Sequence, residues 1–450
     1  MCYNYNMQKN DIFEAEVLDL THEALGVVRV EGFPFFIENA LPGELIKFKV
    51  IKLGKTFGFG KLLELIKKSA NRVESADLTF LRTGIADLAH LTYSEQLKFK
   101  KAQVETVLSK VGIELPVEDT IGAEHILAYR NKAQIPVREK DGQLETGFFR
   151  KNSHDLVPIT DFYIQNPEID QLILAVRDLL HREKLTAYDE RTNTGLVRNI
   201  VIRWAHQTNE LMLVLVLSKM TKINFEALIA GFPNINSIML SIKTDKGNAI
   251  LGKSFKLIYG QDFISDELLG KKFKISAQSF YQVNSEQAEV LYQLAYDEAD
   301  LQMNDVIIDA YSGIGTIGIC IADKVAKVYG MEVISQAVEN ADCNAKLNHL
   351  TNTHYEVGKA EDIMAKWLSN GITADVVFVD PPRKGLDESF ITATVETGPR
   401  AVIYISCNPA SFARDAAHFQ RLGYRLEKVQ PVDLFPQTHH VELVSKFTKI

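Results

Sequence analysis

Over residues 1–66 short apolar stretches alternate with polar positions and are separated by turns: FEAEVLDL, GVVRV, FPFFIENAL, LPGELIKFKVIKL and FGFGKLLELI. Even spacing with Gly and Pro punctuation predicts a small β-barrel. Residues 67–265 are less regular. SEQLKFKKAQVETVLSKVG carries helical spacing, AYRNKAQIPVRE and GQLETGFFRKNSHDLVPI read as strands with basic turns, and LMLVLVLS reads as a buried strand. The expectation there is one mixed α/β central domain. Over 266–450 the pattern changes: SEQAEVLYQLAYDEAD is an amphipathic helix, and VIIDA, VAKVYGME, ADVVFVD and AVIYIS then alternate with helical segments. Such alternation predicts a parallel sheet with right-handed crossovers, which binds ligands outside the carboxyl ends of its strands. The expected fold class is α/β, a Rossmann-like domain behind an OB-like β-barrel and a mixed central domain.

Composition supports that division, since 450 residues at 46% hydrophobic exceed one ordinary core and imply two or three domains. The net charge of -8 argues against coating nucleic acid by bulk electrostatics. Locally the balance reverses: Lys47, Lys49, Lys52, Lys55, Lys61, Lys67, Lys68 and Arg72 face only Glu64. Such a strip is either a solvated face or an RNA-contacting surface of the barrel. Arg130, Lys132, Arg150 and Lys151 fall at strand and turn positions within reach of phosphates, although solvation explains them equally well. No apolar run approaches the roughly 20 residues of a membrane span, and MCYNYNMQKNDIFEAE lacks a basic segment followed by a hydrophobic one. A cytoplasmic protein without membrane contact is expected. Cys2, Cys320, Cys343 and Cys407 lie far apart without a CxxC pair, so neither a disulfide scaffold nor a metal site is expected.

The chemistry concentrates at predicted strand ends. The first runs into DAYSGIGTIGI, whose glycines 313, 315 and 318 permit a tight turn and close approach of backbone to ligand. The second ends at Glu332, placed to accept both hydroxyls of a ribose. The loop has no Walker lysine and reads DxxSGxG, which favours S-adenosylmethionine over NAD; a plain turn with a surface glutamate is the bland alternative. Asp362 is a candidate for meeting an adenine. The next strand delivers Asp380 ahead of Pro381 and Pro382, and the one after it delivers Cys407 ahead of Asn408 and Pro409. A buried cysteine is normally apolar filler, the better reading of Cys320 and Cys343. A thiol at the mouth of a methyl-donor site has a task when the acceptor is carbon 5 of a pyrimidine: addition at carbon 6 makes carbon 5 nucleophilic. A base must then remove the carbon 5 proton. Glu442, near the start of the last strand, is the candidate, with His439 and His440 as competitors.

FYQVN, DAYSGIGT, GMEV, DPPRKG, SCNP and FPQTHHVE, in this order, resemble the RNA (uracil-5-)-methyltransferase family, and the amino-terminal barrel resembles a TRAM domain, an RNA-binding module of its ribosomal members. The resemblance implies Cys407 as nucleophile and Glu442 as base. It further implies Gln282, Tyr311, Glu332 and Asp380 around S-adenosylmethionine, Asp380 also facing the uracil, and Phe280 stacking on a flipped nucleotide. Arg130 and Lys132 are carried as RNA contacts. Ribosomal relatives often hold an iron–sulfur cluster ahead of a QLxxK-like helix, yet RTGIADLAHLTYSEQLKFK has no cysteine, so no cluster is expected. The implied activity is 5-methyluridine formation in a single-stranded loop of 23S ribosomal RNA by a monomer. Alternatives are action on transfer RNA, methylation of an amino group, and a noncatalytic RNA-binding or RNA-folding protein.

Overall fold

The structure, a computed structural model, describes residues 7–74, 79–151 and 153–450; Cys2 lies outside the described residues. Strands Ile12–Glu16 (β1), Asp19–Leu20 (β2), Gly26–Val30 (β3), Phe33–Ile37 (β4), Leu45–Leu53 (β5) and Gly58–Lys67 (β6) form one sheet, ordered β1-β5-β6-β4-β3-β2. The sheet curls because every second residue of β5, Ile46, Phe48 and Val50, is buried against Val28, Phe35 and Ile37. Gly60 is required at the crossing, since a Cβ there would stand 2.5 Å from both Ile37 and Phe48 side chains. Lys47 and Lys49 occupy the alternate, outward positions of β5. Arg72 leaves the expected basic strip: its guanidinium bonds both carboxylate oxygens of Glu44, at 2.5 and 2.8 Å, and the Asn39 carbonyl at 2.7 Å.

Next come Thr79–Thr83 (α1), Tyr93–Lys110 (α2), Lys132–Lys140 (β7), Gln143–Phe149 (β8), Leu156–Pro158 (β9), Pro167–Arg182 (α3), Val197–Trp204 (β10), Leu211–Leu217 (β11), Glu226–Gly231 (α4), Ile235–Ile242 (β12) and Ser254–Gly260 (β13). Their sheet runs β13-β12-β11-β10-β7-β8-β9. All seven residues of β11, LMLVLVL, are buried because the strand is central and covered on both faces. Helix α2 belongs elsewhere in the packing: Val104 and Leu108 join a cluster with Phe412, Val429 and Phe447, on the sheet of the carboxyl-terminal part.

That part contains Phe263–Leu268 (β14), Lys271–Ser276 (β15), Ser285–Ala299 (α5), Val306–Ala310 (β16), Thr316–Ile321 (α6), Lys327–Glu332 (β17), Ser335–Leu347 (α7), Thr353–Val357 (β18), Ala360–Ser369 (α8), Val376–Val379 (β19), Glu388–Thr397 (α9), Ala401–Ser406 (β20), Pro409–Arg421 (α10), Tyr424–Val432 (β21) and Glu442–Lys449 (β22). The sheet order is β18-β17-β16-β19-β20-β22-β21. The strands from β16 to β20 are parallel, as the alternation of strand and helix predicts. The last two depart from it, β22 pairing antiparallel with both β20 and β21. A hairpin loop joins β21 to β22 where a crossover helix would be needed for a parallel pair. Both sheet faces are covered, and consecutive residues divide between them: Ile307, Ile403 and Ile405 pack on one side, Ile308, Val402 and Tyr404 on the other. Among the described residues no helix is long and apolar enough to cross a membrane.

The Arg72–Glu44 pair ties the barrel to the chain that leaves it, with side chains 9% and 0% exposed. Arg72→Met strands a buried carboxylate and is expected to destabilise the protein by about 3–5 kcal/mol, seen as a lower urea midpoint of barrel unfolding.

Candidate active site

Strands β16, β17, β19 and β20 run parallel, so their carboxyl ends share one edge of the sheet; β22, running the other way, begins there. Tyr311, Glu332, Asp380, Cys407 and Glu442 are thereby brought to that edge from five strands.

On the β16–β17 side, Tyr311 has a left-handed φ of 65°, uncommon for a side chain of its size. Gly313 and Gly315 follow with φ of 55° and 84°. A Cβ on Gly313 would meet nothing within 4 Å, whereas one on Gly315 would meet the Tyr355 hydroxyl at 2.8 Å. The loop therefore opens on one side and is packed shut on the other. Glu332 is held by the Gly313 amide at 3.2 Å and the Ile334 amide at 2.9 Å, leaving lone pairs directed at the open side. Val333 and Ile334 beside it are 62% and 58% exposed, an uncovered apolar pair suited to a planar ring, which sequence reasoning missed. Asp309 is fully buried, accepts from the Gly318 amide at 2.9 Å, and has its other oxygen without a partner among the described residues. Burial, then the Asp380 and Glu332 charges, push its pKa up to about 7. Gln282 reaches the same region, its side chain paired with the Tyr292 hydroxyl, which also meets Thr316. An open glycine turn, a carboxylate held by two backbone amides and an exposed apolar pair fit S-adenosylmethionine. Asp362 sits exposed in the first turn of α8.

On the β20–β22 side, β20 pairs Ile405 with Val444 and Ser406 with Leu443. The pairing ends there; Cys407 follows Ser406 and Glu442 precedes Leu443, so both stand at the same end of the strand pair, where the Glu442 charge acts on the thiol, and Glu442 pairs on its other side with Val432 of β21. Chain geometry at Cys407 is set by its successors: Asn408 caps α10 by accepting the Ala410 amide at 3.1 Å, its amide donates to the Arg383 carbonyl at 2.9 Å, and Pro409 occupies the first turn. Burial, followed by the charges of Glu442 and Asp380, raises the Cys407 thiol to about 11, and the exposed Arg383 opposes the shift. Glu442 is held well above the usual carboxylate range by burial and then by Asp380, against Arg383 and Lys100. Burial lifts Asp380 to about 7. Burial raises all three groups, Asp380 adds to the shift of Glu442, and both carboxylates add to that of Cys407, with the exposed Arg383 opposing the last two, a setting in which protons are retained near neutral pH.

The competing histidines differ. His439 is engaged by Asp87, through its backbone amide at 3.0 Å and Nδ1 at 2.5 Å. Burial and then His439 and Arg383 lower His440 to about 4, so it is neutral at pH 7. Neither is directed at Cys407 by any bond in the structure.

Phe280 is 68% exposed although its neighbour Tyr281 is 5% exposed, so the ring projects beside the cofactor-facing segment. The backbone around it is fixed from the central sheet: Asn131 donates to the Gln282 carbonyl at 2.9 Å and Ser285 Oγ at 2.8 Å, Arg130 bridges Asn284, and buried Arg203 donates to the Ser279 carbonyl. Lys132 lies in this cluster, pulled down to about 7 by burial and then by Arg203 and Arg130. Arg150 and Lys151 lie apart from it, in a groove of about 1510 Å³ between the barrel and α1 that also contains Lys61, Arg82 and His439.

A family model described as tRNA (Uracil-5-)-methyltransferase matches residues 92–449. An RNA methyltransferase of Lactococcus lactis is 58% identical with 100% of both chains covered, and one of Streptococcus mutans is 54% identical over 98% of this chain and 100% of that one. The crystal structure of the Pyrococcus abyssi tRNA (uracil-54, C5)-methyltransferase in complex with S-adenosyl-L-homocysteine is similar at a TM-score of 0.79 and 26% identity, covering 97% of this chain and 100% of that chain.

Glu332→Ala removes the carboxylate that accepts from the Gly313 and Ile334 amides. It is expected to weaken S-adenosylmethionine binding by tenfold or more, the equivalent of about 1.5–3 kcal/mol for a charged hydrogen bond, read by titration calorimetry.

Proposed function

The chain belongs to the tRNA (uracil-5-)-methyltransferase family, and we propose that it methylates carbon 5 of specific uridines in 23S ribosomal RNA through a covalent Cys407 adduct resolved by Glu442. As an enzyme it is an S-adenosylmethionine-dependent RNA uracil-5-methyltransferase. The observation that supports the mechanism is that Cys407, just past the end of β20, and Glu442, the first residue of β22, lie at the same end of that strand pair, near enough for the Glu442 charge to act on the thiol.

Cys407 loses its proton to solvent and as the thiolate bonds carbon 6 of the uracil; the carbon 5–carbon 6 π pair moves toward the carbon 4 carbonyl and leaves carbon 5 electron-rich. S-adenosylmethionine, held by Gln282, Tyr311, Glu332 and Asp380, supplies the methyl group. Glu442, as a carboxylate, then takes the carbon 5 proton. The released pair re-forms the carbon 5–carbon 6 double bond and the carbon–sulfur bond breaks, returning Cys407 as a thiolate. A thiol of raised pKa is a good nucleophile once ionised but a reluctant leaving group, so proton removal by the base and departure of the thiolate together determine how long the adduct lives. The target must be splayed from its stack, with Phe280 exposed to receive a ring and the Arg130–Lys132–Arg203 cluster beside it. A phosphate near Lys132 stabilises its ammonium form, which burial and the two arginines oppose.

Support for ribosomal RNA is the amino-terminal barrel, with Lys47 and Lys49 outward, and its likeness to the TRAM module. The Pyrococcus abyssi enzyme favours a second reading, transfer RNA, because it is similar over 97% of this chain, barrel included. Mapping 5-methyluridine in both RNAs from cells lacking the gene decides: loss from 23S RNA alone supports the first, loss from transfer RNA alone the second.

With S-adenosylmethionine and a 23S fragment carrying 5-fluorouridine, a denaturation-resistant protein–RNA adduct is expected, because fluorine does not leave as a proton; Cys407→Ala is expected to form none. Glu442→Gln is expected to trap the methylated adduct on ordinary RNA, and rapid turnover by that variant removes Glu442 from the base role. Because Glu442 acts ionised and its pKa is raised, turnover is expected to fall as pH drops. Arg383→Gln removes an opposing cation, raises that pKa further and shifts the acid limb to higher pH, measured as the pH profile of kcat.

A further inference from the structure

Residues 433–441 join β21 to β22 and are mostly buried, yet they form no regular structure. A buried loop must find partners for its backbone polar groups. Here they come from far away in the chain. Tyr93 donates to Asp433 at 2.9 Å. Lys100 pairs with the other Asp433 oxygen and donates to the Phe435 carbonyl at 3.1 Å. Gln96 donates to the Gln437 side chain at 3.1 Å while accepting the Gln437 amide at 3.0 Å, and Gln103 donates to the His439 carbonyl at 3.1 Å. These four residues lie at spacings of three, four and three along α2, hence on one face of the helix.

Packing alone does not account for this stripe. Gln96 and Lys100 are 0% exposed, and apolar side chains would fill the same space without desolvating an amide and an ammonium. What apolar residues would not supply is a set of partners fixed in position along the loop. The loop ends one residue before Glu442, whereas Cys407 is placed by β20 and the α10 cap, and the cofactor residues by other strands.

We propose that the polar stripe Tyr93, Gln96, Lys100 and Gln103 of α2 positions Glu442 at the strand end it shares with Cys407, acting on removal of the carbon 5 proton and not on thiol addition or methyl transfer. This rests on the reading of Glu442 as base. The stripe touches neither substrate nor cofactor, and its residues are positioning residues.

The test is single-turnover methylation of a substrate RNA fragment by the full-length protein, following adduct formation, adduct decay, S-adenosylmethionine affinity and melting temperature together. Gln103→Ala removes one hydrogen bond from a half-buried position and keeps the fold. Lys100→Met combined with Asp433→Asn removes the buried charge pair without stranding one partner; because Lys100 also opposes the raised proton affinity of Glu442, adduct decay in this variant is compared with wild type on the high-pH plateau of each profile, where Glu442 is ionised in both. Both are expected to form adduct at the wild-type rate with wild-type cofactor affinity but to resolve it at least tenfold more slowly, so that adduct accumulates. Glu442→Gln serves as reference. If Glu442→Gln accumulates adduct and Gln103→Ala resolves it at the wild-type rate, the positioning role is overturned while the base assignment stands. If adduct formation and cofactor affinity fall in step with melting temperature in both stripe variants, without accumulation, the stripe is structural only and the proposal is overturned. If Glu442→Gln itself turns over normally, the base assignment fails first and the proposal with it.

Discussion

The antiparallel pairing of β20 with β22 is the constraint on which the site depends. A sheet register is discrete, and a slip of one residue turns every side chain of the strand to the opposite face. Here both faces are filled, by Ile403 and Ile405 on one side and Val402 and Tyr404 on the other, so slipping would disrupt two apolar layers at once. The strand register thus brings Cys407 and Glu442 to the same edge through apolar packing along the strands, leaving the loop that enters β22 to be held by the polar face of α2.

The electrostatics follow from the same arrangement. Glu442, Asp380 and Cys407 lie near neighbouring strand ends; Asp380 raises the proton affinity of Glu442, and both carboxylates raise that of Cys407. In a solvated setting such repulsion is screened; at a largely buried edge it is resolved by protonation. The consequence is a resting site that holds protons until substrate and cofactor alter the charge balance. Arg383 and the Lys100 ammonium limit how far this goes.

Much of the carboxyl-terminal part was legible because its signals are local. Strand–helix alternation, the turn glycines, Asn408 and Pro409 at a helix start, and the strand-end positions of Asp380 and Cys407 can each be read within a few residues. The antiparallel final pair was not, since a hairpin and a crossover are distinguished by what fills the space between strands. The central region was harder still. Strand β11 looks the same from either neighbour, and α3, despite its Asn166 cap and Pro167, was left unassigned in the expected domain. Arg72 illustrates the limit for charge: eight basic residues in a stretch look equivalent, and only the fold turns one of them inward to Glu44. The Tyr93, Gln96, Lys100 and Gln103 stripe was invisible for the opposite reason. On an isolated helix it reads as solvent-facing, and its partners lie some 340 residues later, Gln96 and Gln437 being separated by 341 positions.

That separation has a bearing on how the chain reaches its final state. Contacts between distant segments carry the largest loop-closure cost and form late in folding. During synthesis helix α2 emerges first and waits, its buried-to-be amides and ammonium in water, until the last strand pair arrives. Order at this edge is thus coupled to the arrival of β22: a nascent chain that already holds the glycine turn and Cys407 still lacks the strand that carries Glu442.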